Sequence, residues 1–339
     1  MATARQHHYV QARYLDGFLA PGSTQLVCYG RGRSKPHRSI PDGIATQRDF
    51  YAIPNSPHGV NLEKFLESKV EGPGLEALRR LVENKTPPSV EDRISLSRYI
   101  AFQEMRVPYA RELNREHMRL SFEDKARQFE KSGQSSLIFQ NVATAEGIPV
   151  KHSEPYEVTR KDVEYFLADM NNNPDTFDLE HMIDLANDMT TFYVSMNWTI
   201  LLARPSTAFI TSDCPVFRQF DHPGGDNALL RPDCTTCCPL SSTTFLMMRG
   251  DIEYLILAAK EGREGNGHTL PPIEFRTISD QNVANFNRKI AAYAHRWCFS
   301  GAESDWILNA MQGPSFRRKP TLTSKNGGTM VQWLRDDEP

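Results

Sequence analysis

The spacing of apolar residues changes twice along the chain, and this change limits the folds that the chain can adopt. Between about residues 61 and 195, apolar side chains recur at helical spacing, as in Leu62, Phe65 and Leu66. On both sides of this region, short β-favouring runs predict strands, at 25–29, 50–53, 198–204, 208–211, 244–249 and 297–299. We therefore predict an α+β fold, with a mixed or antiparallel sheet and a helical middle segment packed on it.

The same pattern predicts how the domain is organised. We expect a single α+β domain over residues 1–339, with a helical insertion at about 61–195 and a loose polar tail at 314–339. Ser89, Thr159 and Ser279 each precede a helical pattern, where a hydroxyl oxygen can accept an unpaired backbone N–H. Pro108 is expected to end or kink the helix that begins at Ser89.

Composition excludes several classes of function. The net charge is −3, so a nucleic-acid partner would need a local basic patch rather than a positive field over the whole protein. No run of about 18 apolar residues predicts a membrane span. The N-terminus lacks an apolar signal region, and the six cysteines fit reduced thiols, so we expect a cytoplasmic protein.

Two adjacent histidines, His7 and His8, precede Tyr9 and Val10. Neighbouring residues in an extended segment point to opposite faces, so the two imidazoles are not expected to share one metal. One of them could serve as a general base, because imidazole titrates near neutral pH. Alternatively, both imidazoles hydrogen-bond to the backbone and fix the terminus.

A second polar motif, Gln103 to Pro108, lies at the end of the central helix. Glu104 and Arg106 are two residues apart, so they point to different faces of a helix. Glu104 could receive a cationic group, or it could form a structural ion pair with another element.

A third motif, Thr211 to Pro215, follows an apolar run. Ser212 could be a nucleophile there, and Asp213 could be a base, a cation holder or a metal ligand. Both could instead cap backbone groups of a turn.

Arg111, Arg115 and Arg119 form a stripe at helical spacing and are a candidate footprint for a phosphate backbone. Interleaved acids such as Glu112 and Glu116 also fit a solvated helix face. No phosphate-binding loop or dinucleotide fingerprint occurs, and the cysteines at 234–238 lack a second ligand pair, so we predict no cofactor and no metal.

Several of these strings occur in the same order in a widespread bacterial and fungal domain of unknown function. They are 7–10, 13–15, Phe18, 50–51, Gln103 with Arg106 and Pro108, 211–213 with Pro215, 239–241 and Asn285. The match spans roughly residues 6–300. The domain is similar to fungal arginine-containing cyclodipeptide synthases, which join arginine and a second amino acid from their aminoacyl-tRNAs.

The resemblance implies an activity and roles for particular residues. It implies a diketopiperazine synthase whose partners are arginyl-tRNA and a second charged tRNA. Glu104 and Asp213 would hold the guanidinium, and His7 or His8 would deprotonate the α-amine. The first aminoacyl group would be held either by a nucleophilic hydroxyl, for which Ser212 and Ser241 are the candidates, or in a site where two charged tRNAs bind together. Substrate contacts would also come from Gln103, Arg106 and Asn285, and the acceptor stem would bind Arg111, Arg115 and Arg119.

Two other hypotheses remain open from the sequence. A metal-dependent nuclease acting on RNA would use His7 or His8 with Glu104 and Asp213 as ligands. A non-catalytic RNA- or protein-binding module would bind tRNA with a salt-dependent affinity and without turnover.

Overall fold

The computed structural model describes residues 6–51, 59–132, 136–139, 156–220, 234–250, 270–313, 318–325 and 328–335. The helices in these ranges are α1 Ala12–Leu15, α2 Gly59–Phe65, α3 Gly72–Asn84, α4 Val90–Met105, α5 Pro108–Ser132, α6 Arg160–Asn172, α7 Pro174–Ser195, α8 Asp280–Tyr293 and α9 Asp305–Ala310. Short 3-10 turns cover Asp16–Phe18 and Pro41–Gly43, and a π-helical turn covers Leu66–Glu71.

The strands in the described ranges are β1 Gln6–His8, β2 Leu26–Gly30, β3 His37–Ser39, β4 Thr46–Arg48, β5 Ser136–Phe139, β6 Tyr156–Thr159, β7 Asn197–Leu202, β8 Thr211–Ser212, β9 Phe217–Phe220, β10 Cys234–Pro239, β11 Thr244–Arg249, β12 Ile273–Thr277, β13 Trp297–Ser300, β14 Arg318–Lys325 and β15 Gly328–Arg335.

In the described ranges, two larger sheets and three two-stranded ribbons, β1–β4, β5–β6 and β14–β15, form the β part of the fold. The larger has the order β12-β7-β11-β10-β9, in which β12 is parallel to β7 and the other pairs are antiparallel. The smaller has the order β3-β2-β13-β8 and is antiparallel. A separate ribbon pairs β1 with β4, placing His7 opposite Gln47.

The large sheet is covered on both faces. Trp198, Ile200 and Leu246 belong to the core that the sheet shares with α3, α4 and α7. The alternate residues Leu201 and Phe245 belong to a second core, with α8 and the small sheet. Because helices α3, α4 and α7 come from the middle of the chain and pack on a mixed sheet, the predicted α+β class is confirmed.

Three helices begin where their hydroxyl residues predict. The Ser89 hydroxyl accepts from the Asp92 N–H at 3.1 Å, and the Ser279 hydroxyl accepts from the Asn282 N–H at 3.3 Å. Thr159 and Asp162 form a reciprocal capping box. Pro108 is the first residue of α5, where its missing N–H leaves no partner unsatisfied.

Other predictions were wrong in detail. Phe50 and Tyr51 lie in a turn rather than a strand, and residues 52–53 lie outside the described residues. The predicted strand at 208–211 is reduced to β8. The tail beyond residue 314 was expected to be loose, but β14 and β15 pair antiparallel and contact α5. Among the helices that the structure describes, none is long and apolar enough to cross a membrane.

Candidate functional site

The β1–β4 ribbon places His7 in the interior. His7 is 7% exposed, its Nδ1 accepts the Tyr51 N–H at 3.0 Å, and its ring stacks on Tyr51 with centroids 5.3 Å apart. Because Nδ1 accepts, the neutral imidazole carries its proton on Nε2, which lies 3.9 Å from the Glu63 carboxylate. His7 therefore fixes the N-terminal segment against the turn at Tyr51, and has no lone pair available for a substrate.

His8 points to the other face, as the sequence predicted. Its Nε2 lies 3.2 Å from the Asp42 carbonyl oxygen. Since a carbonyl only accepts, Nε2 carries the proton and the lone pair is on Nδ1. His8 is half-buried, and its backbone oxygen accepts from the Tyr51 hydroxyl at 3.2 Å. Of the two histidines, His8 is thus the better placed to act as a base.

Gln103 and Arg106, expected to bind substrate, contact the chain itself. Arg106 is 1% exposed and donates to Glu71 at 2.6 Å and to the Gln103 side-chain oxygen at 3.0 Å. The Gln103 amide donates to the Tyr9 backbone oxygen at 2.9 Å. This chain of hydrogen bonds joins α4 to the N-terminal segment, so both residues position that segment.

Glu71, at the end of the π-helical turn, completes this network. It accepts the Gln11 amide at 2.8 Å, and Gln11 in turn accepts the Tyr99 hydroxyl at 2.8 Å. Burial acts to raise the pKa of Glu71, but Arg106 and the Gln11 hydrogen bond outweigh it, so the pKa lies below its ordinary value. Glu71 is ionised at neutral pH and forms a buried ion pair with Arg106.

Glu104 already holds a guanidinium, but the guanidinium is Arg218 of β9. The two groups lie 2.7 Å apart, with side chains 12% and 17% exposed. The Tyr193 hydroxyl donates to the second carboxylate oxygen of Glu104. Glu104 therefore forms a structural ion pair with Arg218, and its role as a receptor for a substrate arginine stays a prediction. Neither Arg218 nor Tyr193 was predicted, because both are far from Glu104 in sequence.

The turn after β8 is sealed inside the protein. Ser212 has no exposed surface, and its hydroxyl oxygen accepts the Cys214 N–H at 3.2 Å. This geometry fits the capping role and leaves the nucleophile hypothesis for Ser212 without support. Ser241 is equivalent: its hydroxyl accepts the Thr243 N–H at 3.2 Å in the turn between β10 and β11.

Asp213 binds backbone. Its Oδ1 accepts from the His295 N–H at 2.8 Å, and its Oδ2 accepts from the Arg296 N–H at 2.7 Å and the Trp297 N–H at 3.1 Å. The carboxylate thus fixes the entry into β13, which is a structural role, and the roles as base or guanidinium holder stay predictions.

Asn285 lies on the exposed side of α8, where its oxygen accepts from Gln281 and Arg288 of the same helix. The asparagine that makes tertiary contacts is Asn287. It donates to the Ala208 oxygen at 2.9 Å and accepts the Ile210 N–H at 3.1 Å. The substrate contact expected at Asn285 stays a prediction, and Asn287 is a structural link.

The arginine stripe of α5 faces carboxylates. Arg115 binds Asp178 through Nε at 3.0 Å, and Arg111 approaches Asp178 at 3.7 Å while donating to the Phe50 oxygen at 2.9 Å. Arg119 binds Glu116 and Glu123 of its own helix. The stripe is thus not a uniformly positive surface, because each arginine has an acidic neighbour.

Arg111 and Arg115 border an open cleft of about 320 Å³ between β4, the start of α5 and the start of α7. We call it the charged cleft; its lining residues are Gln47, Arg48, Asp49, Phe50, Pro108, Arg111, Glu112, Arg115, Asp175 and Asp178. The Asp178 side chain is 2% exposed and anchors the two arginines, whereas Asp175 and Arg48 are 64% and 72% exposed. The cleft therefore offers both carboxylates and guanidinium groups to a ligand.

In the part of the chain that the structure describes, no group of three or more His, Cys, Asp or Glu side chains could hold a metal ion. The three positions named for a metal, at His7 or His8, Glu104 and Asp213, each have their own separate partners.

The chain is thus an α+β protein in which the middle helices and the N-terminal ribbon border an open cleft of mixed charge. A family profile described as "Protein of unknown function (DUF4238)" matches residues 6–304, so the chain belongs to that family. No curated protein and no solved structure matches the chain.

Proposed function

We propose that this protein is an aminoacyl-tRNA-dependent synthase that joins arginine and a second amino acid into a cyclic dipeptide, and that the charged cleft receives the arginyl end of the tRNA. The observation that carries the proposal is the pairing of exposed charges of both signs in one cleft. The end of arginyl-tRNA has the complementary pattern: anionic phosphates beside a cationic guanidinium and α-amine.

The charges of the cleft suggest separate roles. Asp175 has an exposed carboxylate, 3.8 Å from Arg111, that can also receive a planar guanidinium, which favours bidentate pairing with carboxylates. Arg48 and the half-exposed Arg115 are available to phosphates. Asp178 holds Arg111 and Arg115 in position and remains out of contact with solvent.

The reaction needs no separate activation, because an aminoacyl ester is already reactive. The α-amine of one aminoacyl group attacks the ester carbonyl of the other. A C–N bond forms, the C–O bond to the ribose breaks, and the ribose oxygen takes up the proton that the amine loses. The remaining amine then closes the ring on the second ester and releases the second tRNA.

His8 is our candidate to accept the proton from the attacking amine. Its lone pair is on Nδ1 while Nε2 is held by the Asp42 carbonyl. The α-amine has a pKa of about 8 in peptides, so an imidazole is a competent partner near neutral pH.

The test is to incubate the protein with charged tRNAs that carry labelled arginine, with and without RNase, and to identify small products by mass spectrometry. We expect an arginine-containing diketopiperazine that disappears after RNase treatment. Absence of such a product with intact charged tRNAs would overturn the proposal, and cleavage of the tRNA in the same reaction would point to a nuclease.

A pair of variants on α7 tests the cleft itself. Asp175→Asn should lower product formation from arginyl-tRNA by roughly tenfold or more, because a charge-assisted hydrogen bond to the guanidinium is lost. Asp188→Asn changes an exposed aspartate of the same helix outside the cleft and should leave the rate unchanged. Equal rates in both variants would remove Asp175 from the proposal.

A further inference from the structure

A second space borders the start of β4. It has a volume of about 190 Å³ and is lined by Tyr9, Cys28, His37, Gly43, Ile44, Ala45, Thr46, Trp297 and Phe299, of which His37 is exposed. We call it the apolar cavity. Engineered apolar cavities of about 150 Å³ bind benzene, so this one is large enough for a phenyl ring.

The apolar cavity and the charged cleft are neighbours. Thr46 lines the cavity, whereas Gln47 and Arg48, the next two residues of β4, line the cleft. Tyr9 lines the cavity and Phe50 lines the cleft, and these two rings contact each other with centroids 6.0 Å apart. The two spaces therefore adjoin along β4 and the Tyr9–Phe50 pair.

Residues of the two polar motifs bind the backbone at two aromatic walls of the cavity. The Tyr9 N–H donates to the Ala45 oxygen at 2.9 Å, and the Tyr9 backbone oxygen accepts from Gln103, which Arg106 holds. The Trp297 N–H donates to Asp213. These hydrogen bonds fix the backbone from which the Tyr9 and Trp297 rings line the cavity.

The cavity is chemically unlike the cleft. Burial raises the pKa of Tyr9 well above its ordinary value and raises that of Cys28 to about 11, so both side chains are neutral at physiological pH. Ile44 and Phe299 are buried and apolar. Apart from the exposed His37, the side chains that line the space are uncharged, so an uncharged ligand side chain fits here better than a charged one, which would lose hydration.

We infer that the apolar cavity binds the side chain of the second amino acid, which is apolar and no larger than about a phenyl ring, while the charged cleft binds arginine. This inference rests on the proposed function, because it assigns the two spaces to the two substrates of one reaction. The inference specifies the chemical class of the second amino acid, which the proposed activity alone does not determine.

Direct binding tests the cavity without requiring turnover. L-Phenylalaninamide and glycinamide share the uncharged carboxyl end of an aminoacyl ester and differ only in the side chain. By calorimetry, we expect the protein to bind phenylalaninamide at least roughly tenfold more tightly than glycinamide, because only the former fills an apolar pocket.

Filling the cavity provides the matched variant. Thr46→Phe and the smaller Thr46→Leu place apolar atoms in the cavity from a half-buried position on the ribbon. Thr277→Phe makes the same change at an exposed position of β12 and is the control. The Thr46 variants should abolish the preference for phenylalaninamide and shift the second residue of the cyclic dipeptide towards glycine or alanine, whereas Thr277→Phe should do neither.

The outcomes separate the two proposals. An arginine-containing product whose second residue is charged, or a phenylalaninamide preference that survives in folded Thr46→Leu, would overturn the cavity assignment and leave the synthase intact. Phenylalaninamide binding without any cyclic dipeptide would overturn the synthase, and with it the assignment of a second substrate.

Discussion

The two polar motifs that carry the family resemblance are stabilised by different kinds of hydrogen-bond partner. Around the N-terminal motif, side chains bind side chains: Arg106 pairs with Glu71, which is 24% exposed, and the network continues through Gln11 and Gln103. In the turn after β8, one carboxylate, Asp213, binds three backbone N–H groups. A side-chain network can be rebuilt one pair at a time, whereas backbone donors have no substitute once their acceptor is removed.

The largest effect should come from Asp213→Ala. The N–H groups of His295, Arg296 and Trp297 would lose their acceptor in a partly buried region, and we expect the free energy of unfolding to fall by about 3–5 kcal/mol. Urea unfolding followed by circular dichroism measures this loss. Asp213→Asn, which keeps the size and one accepting oxygen, should lose less, and an equal loss in both variants would mean that backbone satisfaction is not the reason for the effect.

Arg106→Leu should have the next largest effect. It removes the cation of the buried pair, but the partly exposed Glu71 can recover some hydration, so we expect a loss of about 2–3 kcal/mol. Denaturant unfolding measures the change, with the exposed Arg288→Leu as the control. If Arg106→Leu cost more than Asp213→Ala, the contrast between the two motifs would be reversed.

Acid should weaken the N-terminal network. The pKa of Glu71 is lowered in the folded protein, so its contribution to stability is present above the ordinary carboxyl pKa and disappears as the pH falls through the lowered value. The difference in unfolding free energy between the native protein and Glu71→Gln should therefore shrink as the pH is lowered from 6 towards that range. A difference that is constant with pH would show that Glu71 acts only through neutral contacts.

The smallest effect is expected for Ser212→Ala. One hydrogen bond to the Cys214 N–H is lost, which costs about 1 kcal/mol, and product formation should remain within a few-fold of the native rate. Mass spectrometry of the product with a thermal melt of the variant tests both statements. Complete loss of product in a folded Ser212→Ala would restore the nucleophile hypothesis and give the turn a chemical role.

The sequence predicted the structural features that depend only on residues a few positions apart. Ser89, Thr159 and Ser279 cap helices because their hydroxyls reach an N–H three residues ahead. The partners of Glu104 and Asp213 could not be predicted, because Arg218 and residues 295–297 reach them only in the folded chain. For Glu104 and for Asp213, the sequence was consistent with a structural role as well as with a functional one.

The sequence did not predict the tertiary role of Asn287 or the pairing in the tail, and both have identifiable reasons. Asn285 was named because the resemblance includes it, whereas only the tertiary packing of α8 shows that Asn287 binds the backbone at Ala208 and Ile210. The tail was judged by its polar composition, although the sequence Asn326-Gly327 between two β-favouring runs is a strong hairpin signal. The pairing of Lys325 with Gly328 agrees with that signal.

The small sheet has a consequence for how the protein is made. All five residues of β2 are buried, and its neighbour β13 comes from the far end of the matched region. A ribosome adds about 5–20 residues per second, so β2 waits tens of seconds for this partner to be synthesised. Until β13 is synthesised, the apolar strand β2 lacks its partner in the small sheet. We therefore expect the nascent chain to bind chaperones, and we expect a lower expression temperature to improve the yield of folded protein.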